Sequence, residues 1–207
     1  MGDSEFHRLG KLRQHSQDTV LLAQGQPIEL LGLVISGSAV ARVFTAQGAM
    51  VWLDEFQPGD WIGSETLSSG ALSAYEVTAQ SDVEILYVSQ SDITRVLAGN
   101  AQLLGAFSSK NLAVLQRRTE HLIAAKTLSA TGRICAELKR RARPIGIERG
   151  HFIIRPTPIF SDVAFRAATT RESVSRLVST LSRHGIIQRK TGALVIPDMT
   201  IFETKLK

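Results

Sequence analysis

The sequence predicts an α+β chain in which an N-terminal β-domain is joined by a long helix to a C-terminal winged helix-turn-helix. Three observations carry this expectation. Short strand-like runs punctuated by evenly spaced glycines fill the first ninety residues. A proline-free helical stretch follows, and a capped amphipathic helix with a basic tip lies near the C-terminus, ahead of two short strands around a turn.

In the first part, residues Val20–Leu22, Leu30–Ile35, Ala39–Phe44, Met50–Leu53 and Val83–Val88 are apolar or alternating runs of strand length. Gly25, Gly37, Gly48, Gly59 and Gly70 separate them at steps of 12, 11, 11 and 11 residues. Short strands with regular glycine turns predict a β-sandwich or barrel.

From Ser91 to Leu128 there is no proline, and only Gly99 and Gly105 interrupt. From Ala101 onward, Leu104, Ser108, Asn111, Leu115, Arg118, Leu122 and Ala125 alternate steps of four and three, with Leu103, Phe107, Val114 and Leu128 beside them. That seam suits a two-stranded coiled coil and predicts a homodimer, with Leu104, Phe107, Asn111, Leu115 and Leu122 as dimer-helix residues and with Asn111 and Arg118 fixing register. The same helix could pack on its own β-domain, one face for each role. A helix of about 26 residues would reach about 39 Å. A further helix begins around Thr131 and ends before Pro144. The basic run Lys139–Arg143 at its end suits either the helix dipole or nucleic acid.

The winged helix-turn-helix is the most specific feature. Asp162–Ala168 reads as a short supporting helix, and Thr169 with Glu172 has capping-box spacing. Val174, Leu177, Val178 and Leu181 then form the apolar stripe of a second helix. Its opposite face opens with Arg171 and Glu172 and repeats an arginine at Arg176. Arginine makes paired hydrogen bonds to guanine, and glutamate accepts from the cytosine amino group, so these three are candidate base readers in a DNA major groove. Ser161 and Thr170, near helix N-termini, are candidate phosphate contacts. Ile186–Arg189 and Ala193–Ile196 flank Lys190-Thr191-Gly192 as a wing, with Arg189 and Lys190 placed for phosphates. A lone Arg-Glu pair is ordinarily solvated surface; the ordered set of elements is what sets this one apart.

Charge agrees. The 207 residues carry a net +5, but residues 1–90 hold 4 Lys/Arg against 11 Asp/Glu, a balance of −7, and residues 91–207 hold 20 against 8, a balance of +12. A polyanion partner is expected for the C-terminal half only. With 43% hydrophobic residues the chain can bury cores for two modest domains. No apolar run is long enough to span a bilayer, and the N-terminus lacks the apolar core of a secretory signal, so a cytoplasmic protein without membrane association is expected. The one cysteine, Cys135, lies in an apolar helix stretch and is expected to be packed and inert, which excludes an internal disulfide or an iron–sulfur cluster held by several thiolates of one chain. His7, His15, His121, His151 and His184 show no metal-ligand spacing, so no metal site is expected, and His121 reads as a surface or interface residue.

The chain resembles the cyclic-AMP receptor protein and fumarate-nitrate regulator (Crp/Fnr) family of bacterial transcription regulators from about Asp18 to Ile196. The residues that carry the resemblance are Gly37, Gln57-Pro58-Gly59-Asp60-Trp61-Ile62-Gly63, Leu128-Ser129-Ala130-Thr131-Gly132-Arg133-Ile134 and Thr170-Arg171-Glu172-Ser173-Val174-Ser175-Arg176. The resemblance implies a cyclic-nucleotide-binding-like β-roll (jelly-roll) sensor over 1–100, a dimerisation helix over 101–128 and a winged helix-turn-helix over 129–207. It implies base reading by Arg171, Glu172 and Arg176, double-stranded DNA and a second copy of the chain as partners, and RNA polymerase as a further one. It places the effector pocket at Gly63, Ser64, Glu65, Ser73, Arg118 and Thr119.

The chain departs from the family pattern at four places. Members that bind cyclic AMP place a Glu directly after the turn glycine; here Ser64 follows Gly63 and Glu65 comes one residue late. Their phosphate-holding Arg-Ser pair becomes Ser73 and Ala74, and no Arg or Lys occurs between Arg42 and Arg95. A cyclic phosphate would lack its charge partner, which argues against cyclic AMP; no cofactor is evident. The family's Thr-Ser pair on the long helix falls on Arg118 and Thr119, so Arg118 could supply positive charge to another anionic effector. The family's glycine before the recognition helix is Ala168 here, which implies a strained turn. Two other classes compete with this expectation. One is a small-molecule sensor acting through protein contact rather than DNA. The other, an enzyme on the β-domain, is disfavoured because its only histidines, His7 and His15, precede the first expected strand.

Overall fold

The computed structural model describes residues 10–68, 70–144 and 151–206. The chain divides into two compact units, 1–118 and 119–207. The boundary falls inside the long helix, whose first part therefore belongs to the β-domain.

In the first unit, β1 (Lys11–His15), β2 (Val20–Leu22), β3 (Leu30–Ser36), β4 (Ala39–Phe44), β5 (Met50–Phe56), β6 (Trp61–Ile62), β7 (Glu76–Ala79) and β8 (Val83–Ser89) form two four-stranded sheets. Their orders are β1-β8-β3-β6 and β2-β7-β4-β5, with antiparallel pairing throughout. Val34, Val83 and Ile85 from one sheet meet Ala41, Phe56 and Val77 from the other in a shared core. The β-roll expectation is met.

The first sheet is buried on its other face as well. Leu31, Trp61, Leu86 and Val88 pack against Ile93 and Leu97 of α1 (Gln90–Gly99) and Phe107 of the long helix α2 (Ala101–Thr127). The five regularly spaced glycines all have left-handed backbone. At Gly37, in the β3–β4 turn, the requirement is double: φ is +76°, and a Cβ would lie 2.1 Å from the Asp82 carbonyl oxygen.

β1, β6, β7 and α1 lie outside the elements that the sequence predicts. β1 is Lys-Leu-Arg-Gln-His, an almost wholly exposed edge strand without apolar alternation, held by its pairing with β8. His15, expected ahead of the first strand, ends β1 with its Nε2 3.2 Å from the Tyr87 hydroxyl; His7 lies outside the described residues. α1 is separated from α2 by Asn100, whose Oδ1 accepts from Leu103 N at 3.0 Å and starts the new helix.

The second unit contains α3 (Ala130–Arg141), α4 (Phe160–Arg166), α5 (Arg171–Arg183) and α6 (Met199–Glu203), with a four-stranded sheet of order β11-β12-β10-β9. The strands are β9 (Arg143–Pro144), β10 (Phe152–Ile154), β11 (Gln188–Lys190) and β12 (Ala193–Ile196). Ile134, Cys135, Leu138, Val163, Val174, Val178, Leu181, Ile187, Ile196 and Phe202 make one core. Ser129 caps α3 by accepting from Gly132 N at 3.1 Å. Gly132 is needed for approach rather than for φ: a Cβ there would lie 2.6 Å from the Leu206 carbonyl oxygen, where the C-terminal turn Thr204–Leu206 passes over the helix. Cys135 is fully buried, and burial pushes its thiol up to about 11. Among the described residues no helix is long and apolar enough to cross a membrane.

Candidate nucleic-acid interface and effector cavity

α5 buries Val174, Val178 and Leu181 on the unit's core and leaves Arg171, Glu172 and Arg176 exposed. The capping expectation is corrected by one residue: Thr170, not Thr169, is the cap, its Oγ1 accepting from Ser173 N at 3.2 Å. The capped start sets Arg171 and Glu172 in the first turn, where backbone N–H groups also face outward. Thr170 is exposed, with its hydroxyl already engaged in the cap. Ser161 is exposed in the first turn of α4.

The α4–α5 turn passes through Ala168 at φ +47°, the left-handed conformation expected of the glycine it replaces. Arg133, from α3, holds this turn. Its Nε donates to Ala167 O at 2.8 Å, its Nη2 to Ala168 O at 3.1 Å and its Nη1 to Leu128 O at 3.1 Å. Nothing in the helical pattern of residues 131–138 singled Arg133 out for this task.

The wing is β11 paired with β12, Arg189 opposite Leu194 and Lys190 opposite Ala193, closed by Thr191-Gly192. Lys190 is exposed. Arg189 Nη2 donates to Ser179 Oγ at 3.0 Å, which ties the wing to α5. Within the basic run, Lys139 Nζ meets Glu203 Oε1 at 2.7 Å. Arg140 and Arg141 both turn back onto the buried Glu137, through contacts of 2.7 to 3.0 Å, and Arg166 Nε lies 3.8 Å from the same carboxylate. Burial alone would raise the Glu137 carboxyl; the Arg140 and Arg141 guanidinium groups outweigh it and hold it below the ordinary carboxylate value. Between helix dipole and nucleic acid, the geometry adds a third role for Arg140 and Arg141: balancing the buried Glu137 of their own helix, to which Arg166 of α4 also comes near.

In the first unit a cavity of about 260 Å³ is lined by Phe56, Trp61, Ser64, Glu65, Tyr75, Asn111, Val114, Leu115 and Arg118. Gly63, at φ +76°, starts the tight turn Ser64–Leu67 that delivers Ser64 and Glu65 to it. The Tyr75 hydroxyl donates to Glu65 Oε1 at 2.7 Å, and the Arg118 guanidinium lies 4.9 Å from the centre of the Tyr75 ring. Burial, then the neighbouring Glu65 carboxylate, raises Tyr75 so that it stays a neutral phenol at physiological pH.

Arg118 is also drawn to the buried Asp54, Nε to Oδ2 at 3.5 Å. Arg117 bridges Asp54 at 3.4 Å and the buried Asp60 at 3.3 Å, and Lys110 approaches Asp60 at 3.8 Å. Two buried aspartates thus fasten the middle of α2 to the β-domain.

Comparison with known proteins places both units. The cyclic nucleotide-binding domain family matches residues 12–100, and the Crp-like helix-turn-helix domain family matches 132–203. The chain belongs to the Crp/Fnr family.

The anaerobic regulatory protein of Bacillus subtilis is 26% identical over 190 residues, covering 89% of this chain and 78% of that protein. The cAMP-activated global transcriptional regulator CRP of Salmonella typhimurium is 23% identical over 193 residues, covering 89% of each. Among solved structures, CooA of Carboxydothermus hydrogenoformans, as a mutant, superposes with a TM-score of 0.82 at 16% identity, covering 99% of this chain and 91% of its own. The c-di-GMP responsive global regulator CLP of Xanthomonas campestris gives 0.76 at 18% identity, covering 93% and 96%. This Crp/Fnr chain is accordingly a DNA-binding transcription regulator with an effector-binding domain, in a family of regulators rather than enzymes.

Of the effector residues that the resemblance implied, Ser64, Glu65 and Arg118 line the cavity, and Gly63 shapes the turn beneath it. Ser73 does not face it: it is buried, and its Oγ donates to the Tyr75 carbonyl at 2.5 Å. Thr119 is not among the lining residues. Phe56, Trp61, Tyr75 and Asn111 were not anticipated there.

Two dimer-helix expectations are corrected. Phe107 packs edge-on against Trp61, ring centres 5.3 Å apart, in the core of its own unit. Asn111 lines the cavity, its Nδ2 donating to Phe107 O at 2.9 Å, and Arg118 turns to Asp54, so both polar residues of the expected seam also make contacts within their own unit. Leu104, Leu115 and Leu122 are exposed, joined by Leu112 and Ile123, which the heptad reading left out.

Proposed function

We propose that this regulator works as a homodimer on a near-palindromic duplex, each α5 entering one of two successive major grooves about one helical turn apart. The observation that carries the reading is the exposure of Arg171, Glu172 and Arg176 at the capped end of a helix whose other face is buried. Arg171 and Arg176 then address guanines and Glu172 a cytosine, while Ser161, Thr170, Arg189 and Lys190 meet phosphates without reading sequence.

Arg171→Ala should cost about 1–3 kcal/mol on the cognate duplex and relax base choice at one position per half-site. Lys190→Ala should weaken cognate and scrambled duplexes alike and flatten the salt dependence. Gel-shift titrations on both duplexes at several salt concentrations check this; equal losses for Arg171→Ala on the two would overturn base reading.

The dimer reading is supported by Leu104, Leu112, Leu115, Leu122 and Ile123, large apolar side chains exposed along one stripe of α2. A second copy would cover them. Leu112→Glu is expected to shift the sedimenting species from dimer to monomer and to abolish tight duplex binding; a dimer of undiminished stability would count against this seam.

The cavity beside the middle of α2 is where we place the effector. A ligand that fits it better in one arrangement of that helix shifts the population of DNA-competent dimers. Cyclic AMP is not the effector we propose, because the cavity's one lining guanidinium is already balanced by Asp54. The working setting is cytoplasmic, with RNA polymerase as the further partner at a promoter.

A further inference from the structure

We propose that the effector cavity takes a small flat ring bearing an N–H donor, neutral or cationic, and discriminates against anions; this rests on the effector reading of the cavity given above. The walls set shape. Phe56, Trp61 and Tyr75 supply aromatic surface and Val114 and Leu115 aliphatic surface, in a volume of about 260 Å³. That is just below the usual lower range for ligand pockets of roughly 300 Å³, enough for one ring or two fused rings.

The polar groups set chemistry. Ser64 Oγ and Glu65 Oε2 are sealed from solvent and have no hydrogen-bond partner among the described residues. A buried carboxylate oxygen left unpaired is costly, and what satisfies it is a donor. Glu65 has one donor already, the neutral Tyr75 phenol on Oε1, so its charge is not matched by a bonded cation.

The other local charges answer one another. Asp54 and Asp60 are paired with Arg117, Arg118 and Lys110, and the face of the Arg118 guanidinium is given to Tyr75. An entering anion would have to take Arg118 from Asp54 and lie against Glu65. An entering N–H donor completes Glu65 once its carboxylate turns to bring Oε2 to the cavity, and it leaves the Arg118–Asp54 pair in place.

The experiment compares two probes of nearly the same shape and opposite charge, benzamidine and benzoate, with cyclic AMP as a third, on the full chain. Trp61 in the wall provides a fluorescence signal, and calorimetry an independent one. Benzamidine should saturate with an affinity about tenfold or more above that of benzoate, and Glu65→Gln should remove that preference. The ligand class is overturned if benzoate or cyclic AMP binds as tightly as benzamidine, if the preference survives in Glu65→Gln, or if benzamidine fails to saturate by about 10 mM.

Duplex affinity separates this from the effector reading. Val114→Trp fills the cavity. If it alters duplex affinity while the benzamidine test fails, the ligand class is wrong and the effector site stands. If benzamidine binds as expected but neither it nor Val114→Trp changes duplex affinity, the effector reading falls and the ligand class stands.

Discussion

Glu137→Gln is expected to lower the stability of the C-terminal unit by about 3 kcal/mol. Glu137 is nearly inaccessible, and it is the common acceptor for Arg140 and Arg141, with Arg166 close by and itself almost buried. Removing the carboxylate charge leaves these guanidinium groups facing a neutral amide, and Arg166 has the least access to water to compensate. The figure stands at the low end for a broken buried pair because Arg140 is partly exposed and can turn outward.

The same arrangement sets a pH dependence. The folded-state carboxyl is held below its ordinary value of 4.5, so its contribution is complete above that pH and is lost as pH falls through the lower, folded value. Denaturant unfolding of wild type and Glu137→Gln from neutral pH downward checks both parts. The difference between the two should be constant at neutral pH and shrink in acid. A difference under about 1 kcal/mol at neutral pH, the range of a surface pair, would show that the cluster is not structural.

Arg133→Ala is expected to cost about 2 kcal/mol of stability, and to weaken cognate duplex binding beyond what stability alone explains. One guanidinium donates to three carbonyls that lie at the end of α2 and in the α4–α5 turn. That turn carries an alanine in the left-handed region, a conformation costing roughly 1 kcal/mol relative to glycine. Arg133 acts as a positioning residue, holding α5 in register despite the strain at Ala168.

A double-mutant cycle isolates this. Ala168→Gly alone should be near neutral, because relief of strain is offset by the freer unfolded chain. In the Arg133→Ala background it should recover part of both stability and affinity, a coupling of about 0.5 kcal/mol or more. Strict additivity would show that the two sites are independent.

How far such features were legible in the sequence depends on the range of the interaction behind them. Val174, Leu177, Val178 and Leu181 sit at helical spacing within one element, so α5 and its exposed Arg171, Glu172 and Arg176 could be read directly. The cap shifted by one residue, from Thr169 to Thr170, because both are threonines and only the backbone conformation decides between them.

The long helix was harder. Its apolar residues occupy two faces, and a three-four pattern fits either. Asn111 and Arg118 look like register-setting polar residues in a seam, but Arg118 answers to Asp54, 64 positions earlier, and Asn111 to the backbone of Phe107. Periodicity carries no information about a partner that distant. Tyr75 escaped notice for a related reason. It gains its role only when Glu65 and Arg118 are brought to it by different elements. A cue was available in Asp54 and Asp60, acidic residues after the apolar run Met50–Leu53 and in the turn that follows the strand, whose burial required cations from elsewhere in the chain.

Cys135 has a consequence for the signals this regulator can use. Its sulfur is enclosed by helix packing, holds its proton up to about 11, and is the chain's sole thiol. Peroxide, nitric oxide or a shift in the glutathione pool finds no nucleophilic thiolate on it to attack. A response to oxidants through Cys135 is therefore not expected, and duplex binding should be the same whether or not the protein is kept with a thiol reductant.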